Sequence, residues 1–127
     1  MKFPIEKVFS TAKVTIEAGP LVRIELLSDS IFVIEDAESM SVWVAETLNR
    51  QPFKVLTIPL PGSSVSRDVR DFLASEERIS RVLADAIVAN SFHHKLLSDF
   101  YLKFNKPKIP TAIFDNEEEA RAWLASL

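Results

Sequence analysis

A length of 127 residues fits one domain on one core. A composition 47% hydrophobic and 26% charged is that of a folded chain, not a disordered one. The net charge of -3 leaves no global positive field for nucleic acid, and the absence of cysteine removes disulfides, thiolate nucleophiles and cysteine-ligated zinc.

Apolar runs such as Ile31-Phe32-Val33-Ile34 stop at four residues, against about 18 for a membrane span, so a soluble cytoplasmic protein with no membrane span is expected. Gly19 and Gly62 are the only glycines. A phosphate-cradling P-loop, a dinucleotide fingerprint and a G-x-S-x-G nucleophile elbow all need more of them, closer together.

From Thr11 to Ala18 apolar and polar residues alternate, and after Gly19-Pro20 the alternation resumes through Val22, Ile24 and Leu26. The two runs predict an N-terminal β-hairpin. Ile31 to Ile34 reads as a third short strand or a buried connection. Asp36 or Ser39 then caps a helix whose stripe is Met40, Trp43, Val44, Thr47 and Leu48. Lys54 to Ile58 is a strand that Pro59 brings to its end. After the Pro61-Gly62-Ser63-Ser64 loop, Val69, Phe72 and Leu73 make a short helix capped by Ser64 or Ser66.

Over Ile79 to Asn90 the signals conflict: Ile79, Val82, Leu83, Ala86 and Ile87 keep helical spacing, whereas Ala86-Ile87-Val88-Ala89 reads as a buried strand. The pattern leans towards helix. Ser91 caps a helix with Phe92, Leu96, Leu97, Phe100 and Phe104 as its apolar positions, ended by Asn105 and Pro107. Ile109, Thr111 and Ile113 alternate again, and Asp115 with Glu118 opens a last helix that buries Ala120, Trp123, Leu124 and Leu127. Helices and strands thus alternate from Met40 onward, giving one α/β domain with a mixed sheet over residues 1–127.

The last third adds a family likeness. Asn105-Lys106-Pro107-Lys108-Ile109-Pro110-Thr111-Ala112-Ile113-Phe114, followed by Glu117-Glu118-Glu119-Ala120-Arg121-Ala122-Trp123-Leu124, resembles the ending of the SpoIIAA-like (STAS-like) family of small bacterial proteins. In that family a K-P-x-x-P-x-x-x-F strand precedes an acidic helix with A-x-x-W-L. Arg81 to Ser91 also looks like the family's buried strand entering its penultimate helix, so the resemblance implies a strand there. Its anti-sigma factor antagonists bind a partner kinase and are phosphorylated at the start of a helix after a central strand. Ser63, Ser64 and Ser66 lie in the corresponding loop and are the candidate anion-binding or phosphorylation residues. The D-S-S-G-L type sequence of those antagonists is missing, and Pro61-Gly62-Ser63-Ser64-Val65-Ser66 stands in its place.

Three hydroxyls before a helix are more commonly caps and turn formers. His93 and His94 are neighbours and cannot grip one metal as an i, i+4 pair does, so no metal is expected. Residues 92–110 carry Lys95, Lys103, Lys106 and Lys108 against Asp99 alone, a local basic patch in an acidic chain. Phe92 with Lys95, Lys103 and Lys106 forms a candidate ligand or partner surface. Phe92, Phe100, Tyr101 and Phe104, at helical spacing, are expected in the core. Asp68 and Asp71 interleave with Arg67 and Arg70 as an exposed charge lattice, and no nucleophile, base and oxyanion set can be named. The expectation is a non-catalytic regulatory or protein-binding module with no cofactor, acting around Ser63 to Ser66 and as a possible homodimer. A small apolar ligand carrier is the alternative, with a pocket under the Phe92 to Phe104 helix, since lipid-transfer relatives share the general fold. A small hydrolase or transferase is a weaker reading.

Overall fold

The computed structural model describes residues 1–127, apart from the side chains of Glu77 and Ile79. Its main sheet has six strands in the order β1 (Ile5–Val8), β2 (Ala12–Glu17), β3 (Leu21–Leu26), β5 (Phe53–Pro59), β7 (Val82–Val88) and β8 (Thr111–Phe114). The first three run antiparallel, and β3, β5, β7 and β8 are mutually parallel. The predicted hairpin is β2–β3, with Val14 opposite Ile24 and Ile16 opposite Val22. β1 was not foreseen; it is an edge strand with only Ile5 half-buried, so it carries no alternating apolar face.

Each parallel pair needs a crossover, and crossovers share one hand. Strands laid down in one direction therefore put α1 (Ile34–Thr47), α2 (Arg67–Leu73) with α3 (Glu76–Ile79), and α4 (Phe92–Phe100) on one face. The core on that face joins Val14, Ile16, Val22, Ile24 and Val55 of the sheet to Met40 and Val44 of α1 and Val69 of α2. The other face is left to α5 (Glu117–Ala125), whose Ala120 and Leu124 pack on Leu56, Ala84, Ala86 and Val88. Lys54 reaches the carboxyl end of α5 and donates to the carbonyls of Leu124 at 2.6 Å and Leu127 at 3.2 Å. This is the favoured place for a cation on a helix.

Several local expectations need correction. Only Ile31–Phe32 of the apolar run is strand (β4), paired in parallel with β6 (Ser64–Val65) in a separate two-stranded sheet. α1 begins at Ile34, after Val33, and neither Asp36 nor Ser39 caps it. Asp36 instead turns its carboxylate to the β1–β2 turn, where it accepts from Ser10 Oγ and from the backbone N–H and hydroxyl of Thr11. Residues 82–88 are strand, because β7 is covered on both faces and a doubly buried strand loses its period of two. Asn116, not Asp115, caps α5, its side chain accepting from Glu119 N at 2.8 Å.

Candidate functional site

Helix α4 is the unusual element. Ser91 caps it as expected, accepting from His94 N at 3.1 Å. It continues as a π-helical turn, Tyr101–Asn105, that ends at Lys106 with a left-handed backbone (φ 47°) just before Pro107. Of the residues expected in the core, Tyr101 is buried, but the rest of the stripe faces solvent: Phe92 is 83% exposed, Leu96 58%, Phe100 44% and Phe104 62%. The residues turned to the sheet are His94, Ser98 and Tyr101, with Leu97 half-buried. The π turn rotates less per residue than an α turn, so Phe104 falls back over Phe100, ring centroids 4.4 Å apart. Arg70 of α2 lies over the Phe100 ring at 5.6 Å, and Asn105 Nδ2 donates to Asp71 Oδ1 at 2.9 Å, fixing the stripe to α2.

Beneath α4 lies a cavity of about 80 Å³ with an apolar wall that includes Ile24, Leu26, Met40, Ile87 and Leu97. Its polar side is a buried network. Asp85, in the middle of β7, accepts from Arg78 Nη2 at 3.3 Å and from Thr57 Oγ1 at 3.1 Å, and both members of the ion pair are shut away from water. Burial pushes the Asp85 carboxyl above the usual carboxylate range, opposed by Arg78 and Thr57. Tyr101 also lines the cavity, and among the described residues its Oη is the buried side-chain polar atom without a hydrogen-bond partner. Burial first, and then the charge of Asp85, pushes that hydroxyl up to about 12.

Ser63 and His94 complete the rim. Leu60-Pro61-Gly62-Ser63 is a turn closed by Ser63 N donating to the Leu60 carbonyl at 3.0 Å, with Gly62 at φ +78°, the backbone that a type II turn needs. A Cβ on Gly62 would stand 2.1 Å from Asp29 Oδ1, so the turn is seated against the β3–β4 connection and Ser63 points inward. His94 Nε2 is 3.0 Å from the Ser63 carbonyl and 3.3 Å from Ser63 Oγ. A carbonyl can only accept, so Nε2 carries the proton. The nitrogen beside the hydroxyl is thus a donor and is not placed to take the hydroxyl's proton.

The sequence-nominated serines are separated by the fold. Ser63 is fully buried, a correction to its placement on an accessible loop. Ser64 is half-buried in β6, bonded through its N–H to the Ser30 carbonyl. Ser66 sits at the amino end of α2, but its hydroxyl donates to Asp68 and does not cap. Of the lysines, Lys95 pairs with Asp115 at 3.1 Å, Lys103 lies over the Phe104 ring, Lys106 is exposed at the helix end, and Lys108 pairs with Glu76 at 2.9 Å. Phe92, Lys95, Lys103 and Lys106 do share the outer surface of α4 and its extension. Sequence reasoning missed the Arg78–Asp85 pair and the lone Tyr101 hydroxyl, for which spacing gives no sign. Among the described residues no three His, Asp or Glu side chains are grouped to hold a metal, and no helix is long and apolar enough to cross a membrane.

Among solved structures, the chain is similar to an uncharacterized protein of the DUF3478 family from Shewanella loihica PV-4, which has a SpoIIAA-like fold. The two share 12% identity over 98% of each chain, with a TM-score of 0.63. A protein of unknown function from Arthrobacter sp. FB24 is 22% identical over 95% of this chain and 98% of that one, with a TM-score of 0.34. No curated protein matches. The fold is SpoIIAA-like, as the ending of the sequence implied. The family model of DUF7793, a domain of unknown function, covers residues 14–127, and the chain therefore belongs to the DUF7793 family.

Proposed function

We propose that this protein is a non-catalytic, cytoplasmic protein-binding module whose contact face is the outer stripe of α4, and that a second copy of the chain is the partner it fits. The observation that carries this reading is the exposure of Phe92, Leu96, Phe100 and Phe104 along one line. Four such side chains leave roughly 400–500 Å² of apolar surface in water, the size of patch that on a monomer usually has a use. The rim mixes signs, with Lys95 beside Asp115 and with Arg70 over the Phe100 ring next to Asp71, which Asn105 bonds. An apolar centre with a mixed polar rim is the anatomy of a protein interface, whereas a helix lying on an anionic bilayer is flanked mainly by cations. Antiparallel pairing of two copies about a two-fold axis lays the apolar side chains of one stripe on those of the other and brings Lys103 and Lys106 of each copy up to the Lys95–Asp115 pair of its partner.

The non-catalytic part is supported by His94 Nε2, which serves the Ser63 carbonyl, and by Asp85, whose oxygens serve Arg78 and Thr57. Sedimentation velocity over a wide concentration range tests the reading. The protein should dimerise, and Phe92→Asp with Leu96→Glu should leave a folded monomer with the same circular dichroism. A protein that is monomeric throughout, or a dimer that survives both substitutions, overturns it. Capture by anionic vesicles that the double variant loses would make the stripe a bilayer contact instead.

A further inference from the structure

The inner side of α4 poses a separate question, resting on different residues from the outer stripe. A buried hydroxyl with no partner is disfavoured, because it has given up water without replacement. Tyr101 Oη is such a group, in a side chain only 5% exposed. Its neighbours around the cavity are occupied with one another: Thr57 and Arg78 with Asp85, and Ser63 with His94. The rest of the wall is mainly apolar, with Ile24, Leu26, Met40, Ile87 and Leu97 in it, and carries Ser64, Arg70 and Ser98 as further polar positions. The phenol is protonated at neutral pH and therefore presents a donor.

We propose that this cavity binds a small uncharged carbonyl compound, or the carbonyl end of a longer apolar one, whose oxygen accepts a hydrogen bond from Tyr101. A carboxylate is the wrong ligand, since the Asp85 carboxylate is in the same wall. The cavity of about 80 Å³ is roughly half the 150 Å³ site that takes a benzene, which leaves room for about three to five non-hydrogen atoms.

The test is an NMR titration of side-chain methyls with two probes of the same shape: acetone, and isobutene, in which a methylene replaces the oxygen. Acetone should shift the methyls of Ile24, Met40, Ile87 and Leu97 saturably and bind about fivefold more tightly than isobutene, the effect of one neutral hydrogen bond. Tyr101→Phe removes the donor and keeps the ring, so acetone should lose its advantage and isobutene should become the tighter ligand, because the ketone then gives up water without replacement. Ser98→Val fills the cavity from α4 while keeping the Tyr101 hydroxyl in the chain, and should abolish both titrations. The proposal is overturned if neither probe gives a saturable shift in the wild type, if acetone keeps its advantage in Tyr101→Phe, or if binding survives Ser98→Val. Should Tyr101→Phe not fold, the wild-type probe ratio and the Ser98→Val titration decide the matter by themselves.

Discussion

α5 and α4 follow strands β8 and β7 and have nine helical residues each, yet they are built in opposite senses. α5 turns Ala120 and Leu124 to the sheet and Glu118 and Glu119 to water. α4 turns His94, Ser98 and Tyr101 inward and its phenylalanines outward. The strand beneath explains the difference. On the α5 side β7 presents Ala84, Ala86 and Val88, and on the α4 side it presents Asp85, whose ion pair and hydrogen bonds set a polar environment. Of the residues that α4 turns in, His94 serves the Ser63 carbonyl, while Asp85 is satisfied by Arg78 and Thr57 on its own side of the cavity, so α4 carries its polar stripe inward and its apolar one outward.

This contrast is best broken at its centre. Asp85→Ala leaves the Arg78 guanidinium buried without its carboxylate, and denaturant unfolding should report a loss of about 3–5 kcal/mol. Next comes a matched pair of truncations. Leu124→Ala on the inner face of α5 should cost about 2–5 kcal/mol by leaving a cavity. Leu96→Ala on the outer face of α4, measured at concentrations where the chain is monomeric, should stay within about 0.5 kcal/mol, as surface substitutions do. Equal costs in the two helices would mean that α4 is not inside out. Ser91→Ala, which removes the cap of α4, should cost about 1 kcal/mol by the same measurement.

A small effect also belongs to the charge cluster beside α5. Arg121 donates to both oxygens of Glu17 at 2.8 Å and to Glu117, while Arg23 joins Glu117 and Glu25. The group is part-exposed and screened, so Arg121→Ala should cost only about 0.2–1 kcal/mol, and less in high salt. The Arg121 bonds hold Glu17, and the Arg23 bonds hold Glu117, below the usual carboxylate range. Their contribution is complete above the ordinary glutamate pKa and is lost as pH falls through the lowered native values, so Arg121→Ala should flatten the acid limb of a stability–pH curve. Asp85 has the opposite sign. Its raised carboxyl keeps a proton in the native state that the unfolded chain has released, so its contribution declines as pH rises from the ordinary aspartate pKa to the native one. Subtracting the curve of Asp85→Asn from that of the wild type should isolate that decline; a flat difference would refute it.

The architecture was largely legible because its antiparallel half is covered on one face only. β2 and β3 write their burial as alternation, and α5 shows an acidic first turn before Ala120 and Leu124. β7 was illegible by period because it is buried on both sides, and the family likeness read it correctly where spacing leaned to helix. α1 starts without a side-chain cap, since Asp36 is engaged by Ser10 and Thr11 from another turn. The candidate site was hardest to read. Periodicity locates a stripe on α4 but carries no information on which side of the helix meets the sheet, and Asp85, which decides that, lies on a different element. Arg78 and Asp85 are joined across a helix-to-strand connection that has no local signature.

The π turn at Tyr101–Asn105 makes the reach of the outer stripe depend on a count of residues as much as on their kind. Removing one residue between Phe100 and Phe104 would rewind the segment to ordinary α geometry and swing Phe104 away from Phe100. A homologue could thus lengthen or shorten its aromatic strip by a single-codon insertion or deletion, leaving every phenylalanine in place.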